Sequence, residues 1–143
     1  MIERSGLERR IADALTEEGI EFEFESEKIT YYKAVRGGLC NDCGSSSCVK
    51  THTYLVDFYI PEFDFYIEAK GYWKGGSRAK HVAVRKANPE KDIRFIFEYD
   101  NWMTKKKKYR YTDWCKKNKF DYFVRVPGTK ARKEVLLNGE WFK

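Results

Sequence analysis

The stretch Asp57-Phe-Tyr-Ile60-Pro-Glu-Phe-Asp64-Phe-Tyr-Ile-Glu68-Ala-Lys70 places two apolar runs on either side of Pro61-Glu62. Alternating apolar residues broken by a Pro-containing turn predict a tight hairpin, with strands over 54–60 and 63–69. A turn centred between Glu62 and Phe63 sets Asp57 directly opposite Glu68. Period-two alternation then sends Phe63, Phe65 and Ile67 to one face, and Tyr66, Glu68 and Lys70 to the other, which they share with Asp57. Two like charges opposed on a largely apolar sheet repel each other, and a divalent cation between them removes the repulsion. Hard oxygen ligands of this kind suit Mg²⁺ or Mn²⁺. Lys70, two residues beyond Glu68 on the same face, is suited to orienting or activating a water molecule and stabilising charge at a phosphoryl group. The alternative is that Asp57 and Glu68 are solvated charges on an open edge. The apolar runs flanking both argue for burial instead.

The chain has 143 residues, enough for one domain with a real core. Its 17% aromatic and 42% hydrophobic content argues for folding, because the 35% charged residues lie mainly between apolar runs and not in a tail. Neither an opening apolar stretch nor a run of eighteen apolar residues is present, so neither a signal peptide nor a membrane span is expected, and the protein is expected to act in the cytoplasm. The net charge of +6 is unevenly placed. Residues 1–30 hold four basic and nine acidic side chains, whereas residues 70–119 hold sixteen basic and five acidic ones. The basic half points to a polyanionic partner.

Ser5-Gly-Leu-Glu8 is a capping-box pattern. It opens a helix that faces inward with Leu7, Ile11, Ala14 and Leu15 and stops at Gly19. A strand is expected over 20–24 and again around 29–32. The small, polar segment Gly37-Gly38-Leu-Cys40-Asn-Asp-Cys43-Gly-Ser-Ser-Ser-Cys48 has no apolar core of its own. Gly75-Gly76-Ser77 should cap a basic helix that runs to Lys86 or Ala87 and ends before Pro89. Ile93–Phe97 reads as a buried strand, 112–117 as a short amphipathic helix, and the tail around Pro127-Gly128 as no more than a weak strand or turn. This order predicts an α/β fold with a mixed β-sheet flanked by helices. The expected organisation is one domain, 1–143, with 36–52 as a cysteine-rich insertion.

Asp57 with Glu68-Ala69-Lys70 is similar to the PD-(D/E)xK nuclease signature, with Val56 where a proline is usual. A wider match lies in Arg4-Ser-Gly-Leu-Glu8, His52-Thr-Tyr-Leu-Val-Asp57-Phe, Ile67-Glu-Ala-Lys-Gly71-Tyr-Trp73, Lys80-His81 and Asn88-Pro-Glu-Lys-Asp-Ile-Arg94. In that order and at nearly those intervals, these residues resemble the endonuclease I family of T-odd podophages, junction-resolving nucleases, over residues 4–125. The chain departs from the family in the missing proline, one extra hairpin residue and about fourteen additional residues that hold the cysteines. The resemblance implies a restriction-endonuclease-like core. It further implies that Glu8, Asp57, Glu68 and the Ala69 carbonyl bind two Mg²⁺ or Mn²⁺ ions, with Lys70 as the catalytic lysine. Hydrolysis of a phosphodiester in four-way (Holliday) and other branched DNA, leaving a 5′-phosphate, would follow. So would an intertwined homodimer in which the first helix of one chain completes the other's site. From the residues alone, Glu8 is equally the N3 partner of the capping box, and both roles can hold together.

The run Lys105, Lys106, Lys107, Lys108 reads first as a solvated loop; together with Arg78, Lys80, Arg85, Lys86 and Arg110 it could alternatively track DNA phosphates without reading bases. Among Tyr72, Trp73, Trp102 and Trp114, core or interface positions are expected, with stacking on an unpaired base as the lesser alternative. Cys40, Cys43, Cys48 and His52 have spacings that close around tetrahedral Zn²⁺, which would supply the order that packing cannot. Asp42, His81 and Cys115 are alternative fourth ligands, although Cys115 also fits a buried helix face. Free thiols, or a redox pair of Cys40 and Cys43, are the other readings. Two rival functions share these features: a site-specific nicking or homing endonuclease on the same fold, and a non-catalytic, zinc-stabilised nucleic-acid-binding module.

Overall fold

The computed structural model describes residues 6–34, 49–73, 76–103 and 106–143. Helix α1 covers Gly6–Glu17 and buries Leu7, Ile11, Ala12 and Leu15, so Ala12 takes the inward place expected of Ala14. Gly19, at φ +70°, ends it in the left-handed region that a residue without Cβ adopts at no steric cost. Ser5 and Gly75, expected in helix caps, lie outside the described residues.

The short strand β1 (Glu23–Phe24) is followed by β2 (Lys28–Ala34), β3 (Val49–Leu55), β4 (Phe58–Ile60) and β5 (Phe65–Lys70). After helix α2 (Gly76–Ala87) come β6 (Ile93–Phe97), helix α3 (Tyr111–Lys117) and β7 (Tyr122–Val124). A 3₁₀ turn at Gly139–Phe142 completes the described elements. One sheet has the order β1-β4-β5-β6-β7, antiparallel from β1 to β5 and parallel from β5 to β7. It is the expected mixed sheet flanked by helices. Parallel neighbours need crossovers, and α2 and α3 supply them. β2 and β3 form a separate antiparallel pair, in register from Lys28↔Leu55 to Ala34↔Val49.

The expected continuous strand over 54–60 is broken. β3 ends at Leu55 on its β2 partner, and β4 resumes at Phe58 on β1 and β5. Between them Val56 N–H donates to the Glu27 carbonyl (3.3 Å) and the Asp57 carbonyl accepts from Glu25 N–H (2.9 Å). The bend at Val56-Asp57 exchanges faces. Tyr54 and Val56 join the core on the α2 side, whereas Phe58 and Ile60, of the same parity, join the core on the α1 side. A strand of unbroken alternation would have kept all four on one face.

Two cores sandwich the sheet. Toward α2 and α3 pack Tyr66, Trp73, Val84, Phe95, Phe97 and Trp114; toward α1 and the C-terminal segment pack Phe58, Phe65, Ile67, Ile96 and Leu136. β6 feeds both, with only Arg94 partly exposed, which is why it reads as an unbroken apolar run. Arg10 holds α1 to the rest of the molecule: its Nη2 lies 2.9 Å from Glu98 Oε1 and its Nε 2.9 Å from Glu134 Oε1. Arg125 meets the other oxygen of Glu134 at 2.7 Å. Among the described residues, no helix is long and apolar enough to cross a membrane.

Candidate active site

The hairpin pairs Phe58 with Ile67 and Ile60 with Phe65, so continuing the register past the strand end puts Asp57 beside Glu68, as the sequence requires. Both carboxylates are buried, at 7% and 5% exposure. Asp57 Oδ2 accepts from Ala69 N–H at 2.8 Å, which ties the carboxylate to β5. Burial first, then repulsion from Glu68 and Glu8, pushes the Asp57 carboxyl up to about 8, against the pull of the Ala69 N–H and of Lys70.

Glu68 is clasped from two sides. Its Oε1 accepts from the Tyr54 hydroxyl at 2.6 Å and its Oε2 lies 3.0 Å from Lys70 Nζ. Burial and the Glu68 charge raise the Tyr54 phenol well above its ordinary value, so it stays protonated and remains a donor. Sequence alternation missed Tyr54. In a continuous strand it would face away from Asp57, and only the break at Val56-Asp57 turns it toward Glu68.

Glu25 was missed for a related reason. The run Glu21-Phe-Glu-Phe-Glu25 alternates, which casts its glutamates as one solvent-facing row. At the end of β1 the backbone of Glu25 enters the left-handed region, with φ +49°, and its N–H bonds to the Asp57 carbonyl. Carboxylate oxygens of Glu8, Glu25 and Asp57 consequently lie within 4.8 Å of one another. No spacing rule announces this; the bend makes it.

The ends of β5 and β6 open onto a cleft of about 380 Å³ lined by Glu8, Ala69, Lys70, Tyr72 and Glu98. Clefts beyond the carboxyl ends of parallel strands are the usual ligand positions in such sheets. A larger cleft, about 550 Å³, lies between the end of α1 and the C-terminal segment and contains none of Glu8, Glu25, Asp57 or Glu68. Tyr72 stands at the lip of the first cleft, 80% exposed, whereas Trp73 and Trp114 are buried in the core and Trp102 carries the Arg110 guanidinium 4.0 Å above its ring.

The basic residues separate on inspection. From α2, Lys80 Nζ lies 4.8 Å over the centre of the Tyr54 ring, and burial, then repulsion from Lys70, lowers its pKa. Arg85 is engaged within the fold: its guanidinium lies 4.0 Å over Phe120 and donates to the Lys119 carbonyl at 3.0 Å. Arg78 is partly buried, and Lys86, Lys106, Lys107 and Lys108 are exposed. Lys105 lies outside the described residues.

Cys40, Cys43 and Cys48 likewise lie outside the described residues. His52, on β3, stacks at 5.5 Å on Tyr31, its register partner. Cys115 is fully buried on α3, where desolvation, then the Asp100 charge, pushes its thiol up to about 12. His81 is buried among Phe95, Tyr54 and Trp73, with ring centres 5.0, 5.3 and 5.8 Å away. Burial and the nearby Lys70 and Lys80 hold it well below the ordinary histidine value, so it is a neutral core imidazole.

Known proteins resemble this chain over most of its length. The family described as Phage endonuclease I matches residues 1–136. The chain is 29% identical over 141 residues to Endonuclease I of Escherichia phage T7, an alignment covering 98% of this chain and 78% of that protein. It is 31% identical over 141 residues to Endodeoxyribonuclease 1 of Enterobacteria phage T3, covering 93% and 80% respectively. With the family pattern spanning nearly the whole chain and two relatives aligned over most of its length, this chain belongs to the phage endonuclease I family.

Proposed function

We propose that the protein is a structure-selective DNA endonuclease that resolves four-way and other branched junctions by divalent-metal-dependent hydrolysis. The observation that carries this reading is the convergence of Glu8, Glu25 and Asp57, with their oxygens within 4.8 Å, beside a Glu68 clasped by Tyr54 and Lys70. The donor set fits a hard cation, because it consists of carboxylates and because burial and mutual repulsion already push Asp57 up to about 8. Glu8, Glu25, Asp57 and Glu68, with the Ala69 carbonyl, are the residues to hold Mg²⁺ or Mn²⁺. A bound cation supplies positive charge to the scissile phosphate and lowers the pKa of water. Ala69 N–H fixes the angle of Asp57, and Tyr54 fixes that of Glu68. Lys70, tied to Glu68, orients the attacking water and stabilises negative charge growing on the phosphoryl group.

Branch selectivity, in this proposal, comes from an intertwined homodimer on a restriction-endonuclease-like core. Exchange of α1 between two copies would keep the Glu8 geometry and join two sites, one for each strand to be cut. Residues 36–52 form a zinc-holding insertion in the single nuclease domain. Cys40, Cys43, Cys48 and His52 are its ligands, and it braces the crossing between the two halves.

The test is cleavage of a labelled four-way junction beside a fully paired duplex of equal length, in Mg²⁺ or Ca²⁺, with wild type and Glu68→Ala. Paired cuts near the branch in Mg²⁺, abolished by Glu68→Ala while binding in Ca²⁺ persists, are expected. Preferential cutting at one duplex sequence would overturn the junction reading, and binding without any cutting would overturn the enzyme.

A further inference from the structure

The α2 residue Lys80 sits where a solvated helix lysine would not. It is partly buried, its Nζ rests on the face of Tyr54, and among the described residues it makes no ion pair or hydrogen bond. An ammonium that loses water normally regains it as contacts from a carboxylate or carbonyl. Here only the ring face replaces it. The same Tyr54 hydroxyl is bonded to Glu68 Oε1, while Lys70 holds Glu68 Oε2. Two amines therefore flank one carboxylate, Lys70 directly and Lys80 across the phenol, and they repel each other. Glu68 and Asp57 offset part of that repulsion, and a further anion seated between the two amines would offset the rest.

We propose that Lys80 is a second active-site lysine, binding a non-bridging oxygen of the scissile phosphodiester, and not one more contact to distant DNA phosphates. The proposal rests on the nuclease reading above and deepens it. Its neighbours on α2 do not share the position: Arg85 is spent on Phe120 and the Lys119 carbonyl, and Lys86 is exposed. Lys80 enters from α2 and Lys70 from β5, so the phosphate would be gripped from two elements. That arrangement fixes its orientation as well as its charge. The Tyr54 ring is the floor that keeps the Lys80 amine aimed, which couples phosphate binding to the placement of Glu68.

The experiment measures single-turnover cleavage of a pre-bound four-way junction in Mg²⁺, and junction affinity in Ca²⁺, for wild type, Lys80→Ala, Lys80→Arg and Lys86→Ala. Lys80→Ala should slow cleavage by about 10²-fold, the usual cost of losing one donor to transition-state charge. Its affinity should change no more than that of Lys86→Ala, which removes an exposed charge from the same helix. Lys80→Arg should recover most of the rate and guards against a mere loss of fold, which thermal melting of each variant checks. Of the two phosphorothioate diastereomers at the scissile position, the one that replaces the Lys80-bound oxygen should slow wild type more than Lys80→Ala, and the one that replaces a metal-bound oxygen should slow both. A Lys80→Ala enzyme that cuts as fast as wild type would overturn the proposal. So would one whose defect lies wholly in affinity, with the salt dependence reduced by about one phosphate contact. Wild type that never cuts any junction would overturn the nuclease reading and this role with it.

Discussion

Asp57 carries the site's electrostatic tension, set by burial and by Glu68 and Glu8. A buried carboxyl held at about 8 favours the folded state in its protonated form, so the sign of its pH effect is fixed. Without metal, its contribution is full below about pH 4, is lost as pH rises toward 8, and is level beyond that. The melting temperature of Asp57→Asn minus that of wild type, measured in EDTA, should therefore grow from pH 5 to pH 8 and then flatten. A flat difference across that range would show that Asp57 is not so perturbed. Adding Mg²⁺ should restore wild type selectively at the alkaline end. Glu25→Gln keeps the shape and removes one charge from the triad, and the Mg²⁺ concentration for half-maximal cleavage should rise by about tenfold, in line with the loss of one charged interaction. An unchanged Mg²⁺ titration would remove Glu25 from the ligand set. The proximity of Asp57 and Glu68 was legible because a hairpin register follows from its turn. The approach of Glu25 was not, because a single positive φ made it and residue type does not encode that angle.

The elements differ in how much of their environment is local. β6 is buried on both faces, so its apolar run alone identified it, and Phe95 fills the space among Trp73, His81, Trp114 and Phe120. Phe95→Ala should cost about 3–5 kcal/mol in a urea-unfolding measurement, through lost burial and a cavity in a rigid aromatic cluster. A loss under about 1 kcal/mol would mean that the cluster collapses to fill the gap. β7, by contrast, is three half-buried residues whose partner is reached only by the α3 crossover, so nothing nearby in sequence marks it. The tail hides its structure in the same way. Trp141 and Phe142 pack on Phe65, and Val126 bridges to Val135, contacts that no periodic pattern announces. The break between β3 and β4 is the instructive failure: alternation looks continuous there, while the hydrogen-bond partners change from β2 to β1 and β5.

Across the whole molecule, size and metal content are the quantities to measure. Each chain weighs 17.0 kDa, and light scattering should return about twice that mass for the proposed intertwined dimer. A monomer at working concentration would leave Glu8 to serve its own chain. Metal analysis should find one zinc per chain, and chelation should lower the melting temperature if the insertion braces the fold. A chain without zinc that melts unchanged after chelation would remove the zinc site.

The burial of Cys115 makes that last question simple to put to the intact protein. Its thiol is enclosed beneath α3 and pushed up to about 12, so it supplies almost no thiolate to an alkylating reagent at neutral pH. Maleimide labelling of the native protein consequently reports on the insertion alone, with no background from the core. Three labels after chelation against none before would count the zinc-bound sulfurs directly, by mass spectrometry and with every cysteine left in place.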